Sequence, residues 1–131
     1  MWMLDTDTVS YIMRDRPAEA RRRFESTDPK QIAISSIVLA ELYYGAARSA
    51  VPAAIRTRID FLSVGLTILS WDAAAADQFA SIRLHLEKLG TPLAAQDIMI
   101  AAHARSLGAT LVTNNLRHFR RIPHLKSENW T

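Results

Sequence analysis

Short apolar runs alternate along the chain with longer segments whose apolar residues recur at helical spacing. The short runs predict strands at residues 1–4, 31–34, 66–69 and 109–112, with a weaker fifth strand at 125–128. The longer segments predict helices at residues 8–13, 17–26, 53–62, 73–89 and 93–107, and another that starts at Ser35 or Ser36 and runs through residue 43. Thr6 or Asp7 is available to cap the first helix.

This alternation predicts an α/β fold. We expect a three-layer α/β/α arrangement, in which helices flank a short, mostly parallel central sheet of four or five strands. A chain of 131 residues suits one such domain, so residues 1–131 are predicted to form a single domain. Functional crevices of parallel sheets lie beyond the carboxyl ends of the strands. Asp5 follows the first predicted strand, and Asn114 and Asn115 follow the fourth, so all three belong at that edge.

Composition narrows the possible chemistry. The chain has no cysteine, which excludes disulfides, thiolate-bound zinc and iron–sulfur clusters. Its formal net charge is +3, and basic residues are frequent after residue 97, which suits an anionic partner such as nucleic acid. The N-terminus lacks the features of a signal peptide and no apolar run is long enough to span a membrane, so we expect a cytoplasmic protein without a membrane partner.

Three carboxylates occur in apolar surroundings. Asp5 interrupts the apolar start of the chain, Glu41 lies within an apolar helix, and Asp97 begins another. Each also has an ordinary explanation. Asp5 or Asp7 can cap a helix; Glu41 can face solvent, and Asp97 can complement the helix dipole. If the three converge, their mutual repulsion requires relief, and a divalent cation is the simplest source of it.

The histidines have no partner motif for serine–histidine catalysis. His103 lies on a helix that is apolar nearly all round, so it is predicted to be a hydrogen-bonded core residue. His118 is predicted on a solvated face. The same stretch carries basic residues that fit a solvated face and a phosphate contact equally well, namely Arg117, Arg120 and Arg121.

Several segments of the chain together form a recognisable set of motifs. They are Met-Leu-Asp-Thr-Asp at residues 3–7, Ser-Ser-Ile-Val-Leu-Ala-Glu-Leu-Tyr-Tyr-Gly at 35–45, Asp-Ile-Met-Ile-Ala-Ala-His-Ala at 97–104, Leu-Val-Thr-Asn-Asn-Leu-Arg-His-Phe at 111–119, and Asn129-Trp130. In this order and at this spacing, they resemble the PIN-domain nucleases and, within them, the VapC toxins of bacterial toxin–antitoxin pairs. The resemblance extends over nearly the full chain.

The resemblance implies a PIN fold whose acidic cluster is Asp5, Glu41 and Asp97, with Asp5 and Asp97 as the metal ligands. The expected cofactor is Mg²⁺, which prefers oxygen ligands and which Mn²⁺ can replace. This family often has a fourth acid where the present chain has Asn115. An amide can orient a water molecule but binds Mg²⁺ more weakly, so this difference leaves the number of metal ions open.

The same resemblance implies an endoribonuclease toxin that hydrolyses RNA phosphodiester bonds. The ending Asn129-Trp130 resembles toxins that cut the anticodon loop of initiator tRNA. A homodimer is also implied, together with a VapB-like antitoxin whose basic arm enters the acidic cleft. The alternative is a catalytically weak PIN-like module that only binds. A phospho-receiver domain fits poorly, because no lysine follows the fourth predicted strand.

Overall fold

The computed structural model describes residues 1–131 and contains five strands and seven α-helices. The strands are β1 (Trp2–Leu4), β2 (Ile32–Ser35), β3 (Thr67–Leu69), β4 (Thr110–Val112) and β5 (Lys126–Glu128). The helices are α1 (Thr6–Arg14), α2 (Ala18–Glu25), α3 (Ser36–Ala47), α4 (Pro52–Val64), α5 (Ala73–Lys88), α6 (Ala95–Ser106) and α7 (Leu116–Phe119). None of these helices combines the length and the hydropathy needed to cross a bilayer.

The strands form one parallel sheet in the order β3-β2-β1-β4-β5. The first strand of the chain is central, because Trp2 is in register with Ile32 of β2 on one side and with Thr110 of β4 on the other. The predicted α/β class and the parallel sheet flanked by helices are confirmed. Since all strands run in one direction, the residues that follow β1 and β4 lie at the same edge of the sheet.

The core packs the helices against the sheet in one continuous apolar cluster. Met3 and Leu4 of β1 and Leu111 of β4 are fully buried in it. α6 is buried on most of its surface, as its sequence predicts, and its run of small residues at 101–102 allows neighbouring elements to approach closely. This burial fixes the position of α6 and therefore of Asp97 in its first turn.

Three details differ from the prediction. α7 was not predicted, because four residues are too few to show a period. α6 begins at Ala95 rather than near residue 93, since the backbone of Ala94 is still extended. α1 begins at Thr6 rather than at residue 8, because Asp5, one of the caps that the sequence offered, caps it directly after the first strand, and Thr6 and Asp7 do not.

Candidate active site

Asp5 joins β1 to α1. Its Oδ1 accepts a hydrogen bond of 2.9 Å from the Thr8 amide, which makes it the N-cap of the helix. Its own amide donates to the Val112 carbonyl at 3.0 Å, which ties it to the end of β4. The side chain is buried, and this burial raises the pKa of the carboxyl. Hydrogen bonding by Thr113 and Thr8 opposes that rise, so Asp5 is a buried acid held in place by its neighbours.

Glu41 lies on α3 and is half-buried. The helix starts at the sheet edge because the Ser35 hydroxyl accepts a 3.1 Å hydrogen bond from the Ile37 amide and caps it. The Thr6 hydroxyl, one residue after Asp5, donates a hydrogen bond of 2.7 Å to Glu41 Oε1. This bond orients Glu41 toward the start of α1, a role for Thr6 that the sequence alone did not reveal.

Asp97 is the third residue of α6 and is half-buried. Burial makes the largest contribution to a raised pKa of its carboxyl, and the next largest comes from the negative charge of Glu41. Asp5 and then Asp7 add further repulsion. These acids come from separate parts of the chain, yet each lies within the electrostatic field of Asp97. The structure therefore brings Asp5, Glu41 and Asp97 to one edge of the sheet.

Asn115 lies between β4 and α7 at the same edge. Its backbone amide donates a 3.0 Å hydrogen bond to the Thr113 hydroxyl, and the Thr113 side chain lowers the pKa of Asp5. Its side chain does not cap α7. Asn115 is thus connected to the acidic cluster through Thr113, whereas its side-chain amide makes no hydrogen bond within the protein and is free to contact a ligand.

His118 differs from its prediction as a solvated residue. It is half-buried on α7, three residues after Asn115, and its positive form lowers the pKa of Asp97. Sequence reasoning missed this proximity because α7 itself was missed. Once a helix starts at residue 116, the three-residue spacing from Asn115 is the signal that places His118 on the side of the acidic edge.

The donor set of this edge fits a hard divalent cation. Carboxylate oxygens are the preferred ligands of Mg²⁺, which keeps several waters and needs only one or two carboxylates from the protein. The raised pKa values of Asp5 and Asp97 reflect burial and repulsion that a cation would offset. No three Asp, Glu or His side chains already surround one point as a ligand set. A cation held by Asp5 and Asp97 and otherwise by water would therefore suit this edge better than a cation surrounded only by protein ligands.

A groove of about 730 Å³ opens beside these acids. Thr6, Asp7 and Glu41 line its polar end. The remaining wall comes mainly from α3 and α4 and is largely apolar, with Tyr44 exposed on it and Arg48 beside that ring. Within α3, Val38 and Leu42 are buried while Tyr44 faces out, so this apolar segment contributes to both the core and the groove.

A buried serine–histidine contact lies elsewhere and is structural. His103 Nδ1 is 2.8 Å from Ser35 Oγ, and both side chains are almost completely buried. Burial lowers the pKa of His103, so the neutral imidazole is favoured. Because no substrate can reach this pair, it does not form a nucleophilic dyad. The prediction of His103 as a hydrogen-bonded core residue is confirmed.

Comparison with known proteins now adds to this geometry. The chain matches the PIN domain family over residues 2–125. It is 47% identical over 130 residues to a protein of Haemophilus influenzae named ribonuclease VapC2, with 98% of this chain and 97% of that protein covered. It is 40% identical to a protein of Shigella flexneri named tRNA(fMet)-specific endonuclease VapC, with 99% and 98% covered.

This chain belongs to the VapC family of PIN-domain ribonucleases. A crystal structure of VapBC2 from Rickettsia felis, bound to a DNA fragment from its promoter, contains a chain that superposes with a TM-score of 0.93 at 37% identity. That match covers 99% of this chain and 98% of the other. The VapC resemblance noted in the sequence is confirmed, and so is the predicted PIN fold.

Proposed function

We propose that this protein is a Mg²⁺-dependent endoribonuclease toxin that hydrolyses phosphodiester bonds in RNA. The proposal rests on the proximity of three carboxylates from distant segments of the chain. The negative charges of Glu41 and Asp5 raise the pKa of Asp97, which indicates that the three lie near one another at one sheet edge. The ribonuclease names of full-length relatives support the same reaction. A basic sequence with a pI of about 9.7 suits a polyanionic substrate.

Asp5 and Asp97 would hold the cation. When bound, Mg²⁺ supplies a Lewis acid that lowers the pKa of a water molecule and offsets charge on the phosphate. Glu41, oriented by the Thr6 hydroxyl, acts as the general base that accepts a proton from the attacking water. Asn115 contributes a neutral amide that orients that water or a phosphate oxygen. No covalent intermediate with a protein side chain is needed.

Replacement of single carboxylates tests the reaction. Asp5→Asn and Asp97→Asn should each abolish RNA cleavage in vitro and growth inhibition in cells, while circular dichroism shows an intact fold. EDTA should stop cleavage by the unsubstituted protein, and Mg²⁺ or Mn²⁺ should restore it. Asp60→Asn is the matched control, because Asp60 is an exposed acid paired with Arg56. RNA binding without any cleavage in Mg²⁺ or Mn²⁺ would favour the binding module instead.

We further propose initiator tRNA as the substrate, cut in its anticodon loop. Support comes from the 40% identical Shigella flexneri relative, whose name specifies tRNA(fMet), and from the Asn129-Trp130 pair. Purified protein should cleave initiator tRNA and leave elongator methionine tRNA intact under the same conditions. Equal cleavage of both would refute this substrate while leaving the ribonuclease activity in place.

The proposed inhibitor is a VapB-like antitoxin that occupies the groove beside the acids. The apolar wall suits an amphipathic peptide, and the acidic end formed by Asp7 and Glu41 suits a basic side chain on that peptide. The Rickettsia felis relative was solved as VapBC2, which supports such a partner. A co-expressed antitoxin should block cleavage, and Tyr44→Glu should weaken that inhibition without reducing cleavage by the free toxin.

A homodimer is proposed from the family resemblance. Sedimentation equilibrium of the antitoxin-free protein at several concentrations tests it directly. A mass that stays at that of one chain, 14.7 kDa, across the concentration range would refute the dimer.

A further inference from the structure

The segment that leaves the acidic edge carries unpaired positive charge. Arg117 and Arg120 are exposed and Arg121 is half-buried, and all three follow Asn115 within α7 and the turn after it. The ion pairs of the protein involve other arginines, at positions 21, 22, 23, 56 and 83. We name residues 117–124, which lead along the chain from the candidate active site to Pro123 and His124, the basic track.

The basic track ends at a polar pocket of about 440 Å³. α5 contributes one side of this pocket, α6 contributes Arg105, and the turn before β5 closes it. No carboxylate lines it, and Pro123 is the one lining residue without a polar side chain. The lining residues are Gln78, Ser81, His85, Arg105, Pro123 and His124.

Arg105 is fixed in this pocket by two hydrogen bonds. Its Nε donates to Gln78 Oε1 at 2.6 Å, and its Nη1 donates to the Pro123 carbonyl at 3.1 Å. A guanidinium has five N–H donors, so both donors on Nη2 and one on Nη1 remain without a protein acceptor. The charged group is thus held in one orientation with donors to spare.

The other polar groups of the pocket can also donate hydrogen bonds. The Ser81 hydroxyl and the rings of His85 and His124 make no hydrogen bond within the protein, and each can donate one. Gln78 Oε1 is already bound to Arg105, and the Ser81 hydroxyl can rotate its proton toward a ligand. A site with free donors, a fixed cation and no carboxylate is complementary to an anion that offers several acceptor oxygens, such as a phosphate group.

We propose that this pocket, which we name the Arg105 pocket, binds a backbone phosphate of the RNA substrate next to the segment being cleaved. The inference rests on the proposed ribonuclease function. Arg105 is eight positions after Asp97 on α6, which corresponds to about 12 Å along the helix axis. The bound phosphate is therefore a flanking one, and the basic track guides the backbone between the two sites.

Two variants of equal charge test the proposal. Ser81→Glu puts a carboxylate into the Arg105 pocket, whereas Ala80→Glu puts the same charge on an exposed position of α5 outside it. Both are made in the Asp97→Asn background, and binding of unfractionated tRNA is measured by fluorescence anisotropy at several salt concentrations. Ser81→Glu should bind about tenfold more weakly than Ala80→Glu at low salt, and the magnitude of its salt slope should be lower by about 0.7.

Binding of inorganic phosphate tests the Arg105 pocket in an experiment without RNA. Titration with phosphate should shift the imidazole NMR signals of His85 and His124 in the parent protein and not in Ser81→Glu. Phosphate shifts combined with equal tRNA binding by both variants would show that the pocket takes free phosphate only, which overturns the RNA assignment. Equal tRNA binding without phosphate shifts overturns the pocket altogether.

The failure of the ribonuclease proposal is distinguishable from these outcomes. A protein with the native Asp97 that cleaves no RNA refutes the proposed function. A protein that cleaves RNA, but whose Ser81→Glu and Ala80→Glu variants bind tRNA equally, refutes only the role of the Arg105 pocket.

Discussion

The hydrogen bond from Thr6 to Glu41 gives the sharpest prediction about the site. At 2.7 Å from a half-buried carboxylate, it is a charge-assisted bond that contributes about 1.5–3 kcal/mol. Thr6→Val keeps the branched shape at the start of α1 and removes only the donor. If Glu41 must be oriented to accept a proton, loss of this energy from the transition state lowers the cleavage rate by roughly tenfold to 150-fold.

The assay is single-turnover cleavage of RNA at saturating Mg²⁺, so that binding does not limit the rate. Thr6→Ser is the matched control, because it keeps the hydroxyl and loses only a methyl group; its rate should stay close to that of the unsubstituted protein. Thermal unfolding of both variants checks the fold. A Thr6→Val rate within twofold of the parent rate would refute the orienting role, and so would equal losses in Val and Ser.

Other predictions concern metal binding, pH and packing. Mg²⁺ at ten times its dissociation constant should stabilise the protein by about 1.4 kcal/mol in thermal unfolding. Without metal, Asp97→Asn should be more stable than the unsubstituted protein because it removes repulsion between carboxylates, and Mg²⁺ should not stabilise it further. Burial lowers the pKa of His103 below its ordinary value of 6.5, so the unfolded chain binds more protons than the folded protein once the pH falls below 6.5. The free energy of unfolding should therefore fall as the pH falls from 6.5 toward the lowered pKa, and His103→Gln should make that dependence on pH less steep. Trp71→Phe removes the 2.9 Å hydrogen bond from its indole nitrogen to the Met99 carbonyl and should cost about 1 kcal/mol in urea unfolding. Trp130→Ala empties a site that is 4% exposed and should cost about 3–5 kcal/mol, and a loss below 1 kcal/mol would contradict this packing.

Much of the fold follows from local pattern. β1, β2 and β4 are short apolar runs bounded by polar or helix-capping residues, and α6 is a continuous apolar segment that has no stable place outside a core. α7 could not be found in this way, because a four-residue helix is held by its surroundings rather than by its own period. The apolar residue Phe119, which is buried in the structure, is the sequence feature that indicates packing of α7 against the core.

The residues of the candidate site likewise fall into those that the sequence indicated and those that it did not. Asp5, Glu41 and Asp97 could be selected from the sequence because a carboxylate in apolar surroundings is costly and therefore conspicuous. Their roles in cleavage stay predictions until the variants are measured. Thr6 and His118 carry no such signal, since a threonine near a helix start and a histidine among arginines are ordinary. Their importance depends on which side chains meet in three dimensions.

The position of β1 has a consequence for the synthesis of this protein. β1 lies at the centre of the sheet and is translated long before its neighbour β4, which follows it by about a hundred residues. The backbone bond between Asp5 and Val112 cannot form before then. A nascent or prematurely terminated chain that lacks β4 therefore cannot complete the sheet edge at which Asp5 is held.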